Sequence, residues 1–375
     1  NPGPEEIERI NATYDAFYIP LANAFRPKFA RHLGRLTKLV SQLKIPVVVV
    51  GVGVQAEENP MEELSAVHDL VREFCAVVLD RSESIGVRGQ FTAEYLDALG
   101  VRRVGAIGCP SMFYWGRDMP APRMPERFSD ASVAFNWGFN DRGIFADGAH
   151  LLERLLATQR EVTYYSQVDD EAKSFLYGGE QCAYVQAMAG VDRLALEFPA
   201  DVHLWLRSLA SKDFTIGSRI HGSVASLLAG VPTLLMAHDC RVTELGRYFN
   251  LPSLPLASLA EPGFDLARAL EGIQWDSHLG VLDDRLSTYI AFLDKNGIRH
   301  NFDSQGVLDD TAYRDEMSMA RFPAPLNSES LNWDFVRGLL ADQRRSLSAV
   351  NGKVDGLRRR LTALESLIQQ AAQPA

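Results

Sequence analysis

The chain alternates short β-branched runs with longer stretches whose apolar residues recur at helical spacing. Ile45-Pro46-Val47-Val48-Val49-Val50-Gly51 has no polar position to turn toward water, as a strand covered on both faces requires. Around it, Asp15 to Pro20 is a short apolar run, and Phe29 to Leu43 and Met61 to Phe74 have helical spacing. Ala76 to Leu79, Ser84 to Arg88 and Val104 to Ile107 predict short strands, with a helix over Thr92 to Leu99 closed by Gly100. Later the same rhythm gives strands over Ala131 to Asn136, Glu161 to Ser166, Asp213 to Gly217 and Val231 to Met236. Helices are predicted over Ala149 to Gln159, Asp201 to Ala210, Ser223 to Leu228 and Val242 to Phe249. Repeated βαβ units of this kind predict doubly wound, parallel α/β layers.

Trp115 to Asp130 breaks the rhythm, with Pro120, Pro122 and Pro125 close together and no clear period. The pattern therefore predicts an N-terminal α/β domain over 1–118, a linker over 119–130 and a C-terminal α/β domain over 131–300, with a cleft between the two. A connecting segment over 301–335 leads to an amphipathic helix over 336–372. There Leu347, Val350, Val354, Leu357, Leu361, Leu364 and Ile368 step by threes and fours, the seam of a coiled coil. The helix either packs on its own chain or joins protomers; the narrow heptad stripe favours a homo-oligomer.

Composition narrows the function classes. Apolar content of 46% and charged content of 23% over 375 residues describe a globular chain with a sizeable core. A formal net charge of -10 argues against a nucleic-acid binder. Cys75, Cys109, Cys182 and Cys240 are scattered without a C-x-x-C pair, which reads as buried thiols in a reducing compartment rather than as disulfides or a metal site. No run is long enough to span a bilayer and no leader peptide is visible, so the expected place is the cytoplasm.

The most informative segment is Gly217-Ser218-Arg219-Ile220-His221-Gly222-Ser223, where a strand runs straight into a helix. A helix N-terminus offers unpaired N–H groups and positive dipole. Arg219 adds a bidentate cation, His221 a titratable imidazole, and Gly222 close access to the backbone. An isolated R-x-H is more often structural; here its place at a strand's carboxyl end points to an anion site with a proton-transfer residue. Gly51-Val52-Gly53-Val54-Gln55 is either a tight turn or a ligand loop, without the third glycine of a dinucleotide fingerprint. Arg81 and Arg88 flank Ser84 to Val87; Arg88 either faces the cleft or pairs with Glu83 or Glu94. His238, Asp239 and Arg241 follow another strand, although Asp239 also suits a helix cap. Asn136, Trp137 and Asn140 could line the cleft floor, and Gln167, Asp169 and Asp170 end a further strand. The other histidines show no metal spacing.

Gly217-Ser218-Arg219-Ile220-His221, then Ala225, Ala229-Gly230-Val231-Pro232, Asp239 and Leu251-Pro252, resembles the signature of the polysaccharide pyruvyltransferase family. Ser84-Ile85-Gly86-Val87-Arg88, Tyr95-Leu96, Leu99-Gly100-Val101 and Gly108-Cys109-Pro110-Ser111 are similar to the family's middle segment. The resemblance covers roughly Ile45 to Pro252. It implies two Rossmann-like domains in a GT-B-like arrangement. It also implies transfer of a pyruvyl group from phosphoenolpyruvate to two hydroxyls of one sugar, giving a cyclic ketal and free phosphate. The acceptor would be a cell-surface polysaccharide unit or lipid-linked precursor, handled inside the cell at or near the membrane. Arg219 and His221 would form the donor site, His221 either moving a proton or holding phosphate. Arg88, Ser218, Gly222, Ser223, Gly53 and Gln55 are candidates for further donor contacts. Asn136, Gln167, His238, Asp239 and Arg241 are candidates for substrate contacts. No cofactor or metal is expected.

The chain departs from that pattern in three places. Ala22-Asn23-Ala24-Phe25-Arg26 stands where the family carries a glycine-rich loop, so an early strand lies outside this chain or the branch differs. Arg241 stands near where a lysine is often found, and the heptads are not a general family feature. Two other classes stay open: a nucleotide-sugar glycosyltransferase of the same architecture, and a non-catalytic glycan-assembly scaffold.

Overall fold

A computed structural model of the protein describes residues 3–56, 59–138, 142–168, 194–199, 201–303, 306–308 and 326–327. The chain divides into two compact units, Asn1–Pro325 and Leu326–Ala375. Of the second, only the short strand Leu326–Asn327 is described. The heptads of 336–372 lie outside the described residues, as do Asn140, Asp169 and Asp170.

The first unit opens with helix α1 (Pro4–Thr13), strand β1 (Phe17–Pro20), α2 (Ala30–Val40), β2 (Val47–Val50), α3 (His68–Leu79), β3 (Ile85–Val87), α4 (Gln90–Ala98) and β4 (Val104–Ala106). β1 runs parallel to β2 and β3 parallel to β4, and a bridge from Val52 to Val87 links the pairs. All four residues of β2 are buried. Val47 and Val49 pack with Leu33, Val71, Phe74 and Val78 of α2 and α3, while Val48 and Val50 enter a second core. Period-two alternation thus covers both faces, each valine contributing ~1.5–3 kcal/mol. The strand predicted over Ala76 to Leu79 is instead the end of α3. Val71, Phe74, Cys75 and Val78 are buried at helical spacing, and that stripe overrides the β-branched propensity of Val77 and Val78.

The next elements are β5 (Ser132–Asn136), α5 (Arg142–Thr158), β6 (Glu161–Tyr165), β7 (Leu194–Phe198), α6 (Val202–Leu209), β8 (Phe214–Gly217), α7 (Ile220–Leu228), β9 (Thr233–Ala237), α8 (Cys240–Tyr248), β10 (Ser253–Pro255) and α9 (Leu266–Glu271). Within the first unit these strands lie in the order β10-β9-β8-β5-β6-β7, parallel at each pairing. The chain winds one way from β5 through β7 and the other way from β8 through β10, so the order reverses between β5 and β8. A parallel sheet opens a crevice there, at the carboxyl ends of its strands.

The two layers share a core. Val48, Val50, Ile107 and Phe113 of the first half cluster with Ile220, Val224, Leu245 and Phe249 of the second. Helix α10 (Leu279–Lys295), beyond α9, returns to the first layer. Asn296 at its end accepts from the backbone N–H groups of Glu83 (3.0 Å) and Ser84 (3.2 Å). Gly86 of β3 is needed beneath it, because a Cβ there would lie 2.9 Å from the Phe292 ring. The proline-rich connection over 119–130 is also tied down: Met119 is buried, and Arg123 donates to the carbonyls of Ala210 (2.9 Å) and Ala229 (3.1 Å).

Candidate functional site: an anion crevice between the layers

Gly217 ends β8 opposite Asn136, the last residue of β5. A Cβ on Gly217 would collide with the Asn136 side chain and backbone. The Asn136 carbonyl accepts from the backbone N–H groups of Ser218 (3.0 Å) and Arg219 (3.4 Å), which sets the turn into α7. Arg219 occupies the N-cap position without a side-chain cap, and its Nε donates to the Trp137 carbonyl at 3.1 Å. The positive end of α7 therefore opens at the switch point.

Two amides converge on this turn. The Asn136 side chain is buried with neither amide atom partnered, and Gln167 Nε2 is likewise buried and unpartnered. Both press on Gly222, where a Cβ would lie 2.5 Å from Gln167 Nε2 and 2.7 Å from Asn136 Cγ. Ser218 Oγ accepts from the Gly138 N–H at 3.3 Å. Ser223 is turned inward: it is fully buried, and its Oγ reaches back to the Arg219 carbonyl at 3.4 Å.

The first layer supplies the other wall. Arg88, just past β3, is 2% exposed; its Nε donates to the Gly51 carbonyl at 3.0 Å, while Nη1 has no partner. Gly53 underlies this side chain, with room for a Cβ only 3.0 Å from Arg88 Cδ. Burial and the nearby Arg241 lower the Arg88 pKa, while Cys109, Glu244 and Asp239 favour its charge. Arg88 is thus a buried cation facing the second layer, and its charge neighbours are not Glu83 or Glu94.

Gln55 Oε1 accepts from Asn23 Nδ2 (2.6 Å) and Arg26 Nη1 (2.8 Å). Turning the Asn23 amide over brings its oxygen to Arg241 Nη1 at 3.2 Å. Burial, then Arg241, lowers the pKa of Arg26, and both Arg26 Nε and Arg241 Nε are buried without a partner. Asp239 caps α8 by accepting from the Val242 N–H at 2.8 Å, and lies 3.4 Å from Arg241 and 3.7 Å from His238. Glu244 on the same helix is buried and accepts from Thr92 N (2.7 Å) and Thr92 Oγ1 (2.9 Å), which locks α8 to α4. Burial raises its pKa against those bonds and against Arg88. A cavity of about 840 Å³ opens alongside, lined among others by Gln90, Glu94, His238, Asp239, Thr243 and Arg247.

Cys109 joins the two walls. It follows β4, lies 3.0 Å from Ser111 Oγ, and is within electrostatic reach of the His221 side chain of α7. Burial pushes the thiol up, but His221, Arg88 and Ser111 outweigh it and bring it down to about 7. The structure therefore gathers Arg219, His221, Ser218, Gly222, Asn136 and Gln167 at one turn of the second layer, and brings Asp239 and Arg241 of that same layer toward Arg88, Gly53 and Gln55 of the first. Sequence reasoning passed over Asn23, Arg26, Glu244 and the site position of Cys109. Gly108-Cys109-Pro110 carried a signal, since the segment follows a strand's carboxyl end. Asn23 and Arg26 lay where a glycine-rich loop was sought.

The fold and these walls define an α/β protein with a cationic crevice at the carboxyl edge of parallel strands, a place and charge suited to a small polyanion. Residues 22–239, more than half of the chain, match the polysaccharide pyruvyl transferase family. The chain belongs to that family of transferases. No curated protein matches it. Among solved structures it is similar to a chain of the Glycosylation Associate Protein (Gap123) complex from Streptococcus agalactiae, with 14% identity, TM-score 0.45, and coverage of 78% of this chain and 56% of that one. It is also similar to an α,α-trehalose 6-phosphate synthase from Burkholderia multivorans, with 12% identity, TM-score 0.44, and coverage of 83% and 74%. A third likeness is to CalG4, the calicheamicin glycosyltransferase, with 12% identity, TM-score 0.37, and coverage of 74% and 98%. Among the described residues no helix is long and apolar enough to cross a membrane.

Proposed function

We propose that this chain moves a pyruvyl group from phosphoenolpyruvate onto two hydroxyls of one sugar in a surface polysaccharide or its precursor, releasing phosphate. The observation that carries the reading is the buried Arg88, with Nη1 unpartnered, in the charge field of Arg241 and Asp239. A buried guanidinium with an open donor is costly unless an anion completes it. Phosphoenolpyruvate brings two anionic groups on one small frame, and the crevice offers cations on both walls.

In this reading the two parallel layers act as the halves of a GT-B-like arrangement. Arg219, His221 and the α7 N-terminus hold the phosphate, and Arg88 with Arg241 holds the carboxylate. The polar cavity beside His238 and Asp239 takes the acceptor sugar. Ketal formation needs a proton delivered to the enol carbon, protons removed from two hydroxyls, and stabilisation of departing phosphate. The reading assigns no metal or cofactor to these steps, places the chain in the cytoplasm at the membrane face where acceptors are made, and gives the heptads to a homo-oligomer.

Mass spectrometry of the surface glycans of the source cells, with and without the gene, tests the reading. Loss of a pyruvyl ketal on deletion is expected; an unchanged pyruvate content overturns it. With purified protein, phosphate is released from phosphoenolpyruvate in the presence of the acceptor. Release of UDP or GDP from a nucleotide sugar would mark a glycosyltransferase instead.

A further inference from the structure

We propose that Arg26 and Arg241 form a second oxyanion subsite, apart from Arg88 and from the R-x-H turn, which takes a phosphate group. The proposal deepens the pyruvyl-transfer reading, and its test separates the two.

The subsite is assembled by loops that leave the carboxyl ends of strands. Residues 21–26, after β1, are zipped to residues 51–55, after β2. Gly53 N donates to the Ala22 carbonyl (2.7 Å), Phe25 N to that of Gly53 (3.3 Å) and Gln55 N to that of Phe25 (3.2 Å). The start of α8 is tied to the same loop: Cys240 N donates to the Ala56 carbonyl (3.4 Å), and Ala56 N to Cys240 Sγ (3.2 Å). Arg26 of the first layer and Arg241 of the second thereby meet on one amide. A single atom of the Asn23 carboxamide lies 3.1 Å from Arg26 Nη1, 3.2 Å from Arg241 Nη1 and 2.6 Å from Gln55 Oε1.

No orientation of that amide satisfies all three contacts. As nitrogen, the atom donates to Gln55 but faces two guanidinium donors. As oxygen, it accepts from both arginines but meets the oxygen of Gln55. Turning Gln55 as well sets its nitrogen against Arg26 Nη1, which its oxygen now holds at 2.8 Å. The cluster has more donors than acceptors, and Arg26 Nε and Arg241 Nε are also buried without partners. Charge is equally unbalanced. Asp239 lies 3.4 Å from Arg241 but is committed to the α8 cap. Burial and Arg241 oppose the charge of Arg26, and no acidic group among the described residues favours it.

A phosphate answers both deficits. Its free oxygens only accept, its charge matches two guanidiniums, and it has oxygens enough for two arginine forks. A sugar hydroxyl brings a donor of its own and leaves the surplus in place. The phosphate is either the donor's phosphoryl group or one carried by the acceptor sugar.

The test titrates inorganic phosphate into the full chain by calorimetry, with and without saturating phosphoenolpyruvate. Wild type is expected to bind phosphate. Arg26→Gln and Arg241→Gln are each expected to bind it roughly 10- to 100-fold more weakly, the scale of a lost charge-assisted hydrogen bond. Arg26→Lys, which keeps the charge but not the fork, is expected to fall between. The urea midpoint of ligand-free Arg26→Gln is expected to equal or exceed that of wild type, because one of two neighbouring like charges is gone. If Arg26→Gln weakens phosphoenolpyruvate by the same factor, and phosphoenolpyruvate blocks phosphate, the donor fills the subsite. If phosphoenolpyruvate affinity holds and phosphate still enters beside it, the acceptor brings the phosphate. Phosphate affinity unchanged in both Gln variants, or no phosphate binding by wild type, overturns the proposal. So does a midpoint that falls together with affinity, the mark of an arginine that only holds the loops together. If phosphate binds through Arg26 and phosphoenolpyruvate does not bind at all, the pyruvyl-transfer reading fails and the subsite stands.

Discussion

The amino and carboxyl ends of the parallel strands hold similar side chains in opposite states. At the amino ends, cations are saturated. Arg81 donates to the carbonyls of Leu43 (2.5 Å), Val77 (3.2 Å) and Ser41 (3.0 Å), and Arg103 to those of Ser82 (3.1 Å) and Leu79 (2.6 Å). Lys212 is held by Glu161 and Thr163, both at 2.7 Å, and Arg160 by Asp213 at 2.7 Å. At the carboxyl ends, Arg88 Nη1, Arg241 Nε, Gln167 Nε2 and both amide atoms of Asn136 are buried without partners. Orphaned atoms occur elsewhere, Tyr95 Oη among them, so it is their convergence on one crevice that distinguishes the carboxyl edge. Backbone and side-chain partners complete one end of the sheet; a ligand is needed to complete the other.

The sharpest way to break this comparison is to treat Arg81 and Arg88, which flank the same strand, alike. Arg88→Gln is expected to weaken phosphoenolpyruvate binding roughly 10- to 100-fold, the equivalent of one lost charge-assisted hydrogen bond. Arg81→Gln is expected to leave binding alone and lower stability by about 1–3 kcal/mol, because carbonyls it now satisfies lose their donor. Calorimetry with the donor and urea unfolding of both variants check the pair. Equal effects on binding would erase the distinction between the two ends.

A steric test comes next. Gly222→Ala puts a methyl against Gln167 and Asn136, at 2.5 and 2.7 Å before relaxation, so the amides must move. Overpacking of that kind costs about 1–3 kcal/mol, and donor affinity is expected to fall with it. Gly34→Ala is the control: its Cβ meets only Leu70 Cδ1 at 3.7 Å, and in the middle of α2 alanine is expected to stabilise by roughly 0.5–1 kcal/mol. Urea unfolding of the two variants should move their midpoints in opposite directions.

How far the sequence revealed these two ends depends on what each required. The strands around Val47 to Val50 and Ala131 to Asn136 were legible because burial on both faces leaves an unbroken apolar run. So was the R-x-H turn, since a strand running into a helix marks its own carboxyl end. Arg88 was ambiguous because its role follows from what it lacks, and a missing partner leaves no mark in sequence. The grip of α10 on the first layer was equally hidden: it turns on Asn296 reaching Glu83 and Ser84, about two hundred residues away. The false strand at Ala76 to Leu79 came from judging a short window by propensity when the buried stripe began at Val71.

The latch between α4 and α8 gives a pH-dependent test. Folding raises the Glu244 pKa, burial being the largest cause, so the folded chain binds a proton that the unfolded chain releases. This contribution to stability is present below the unfolded carboxyl value and fades as pH rises through the folded one. Wild type is therefore expected to lose stability through and above the ordinary carboxylate range, and Glu244→Gln to lose less. Urea midpoints from pH 4 to pH 8 check it; parallel profiles would mean the latch carries its charge without cost.

The smallest effect compares two helix caps. Asp201 caps α6 by accepting from His203 N and Leu204 N, and Asp239 caps α8 by accepting from Val242 N. Both are N-caps, each worth about 1 kcal/mol on replacement by alanine. Only Asp239 also lies beside Arg241, at 3.4 Å, and within the charge field of Arg88. Asp201→Ala is expected to lower the unfolding midpoint and leave phosphoenolpyruvate affinity unchanged. Asp239→Ala is expected to lower the midpoint by a similar amount and also change that affinity, because Arg241 loses the carboxylate that holds its charge in place. If the two variants match in both measurements, Asp239 is a cap and nothing more, and Arg241 finds its position without it.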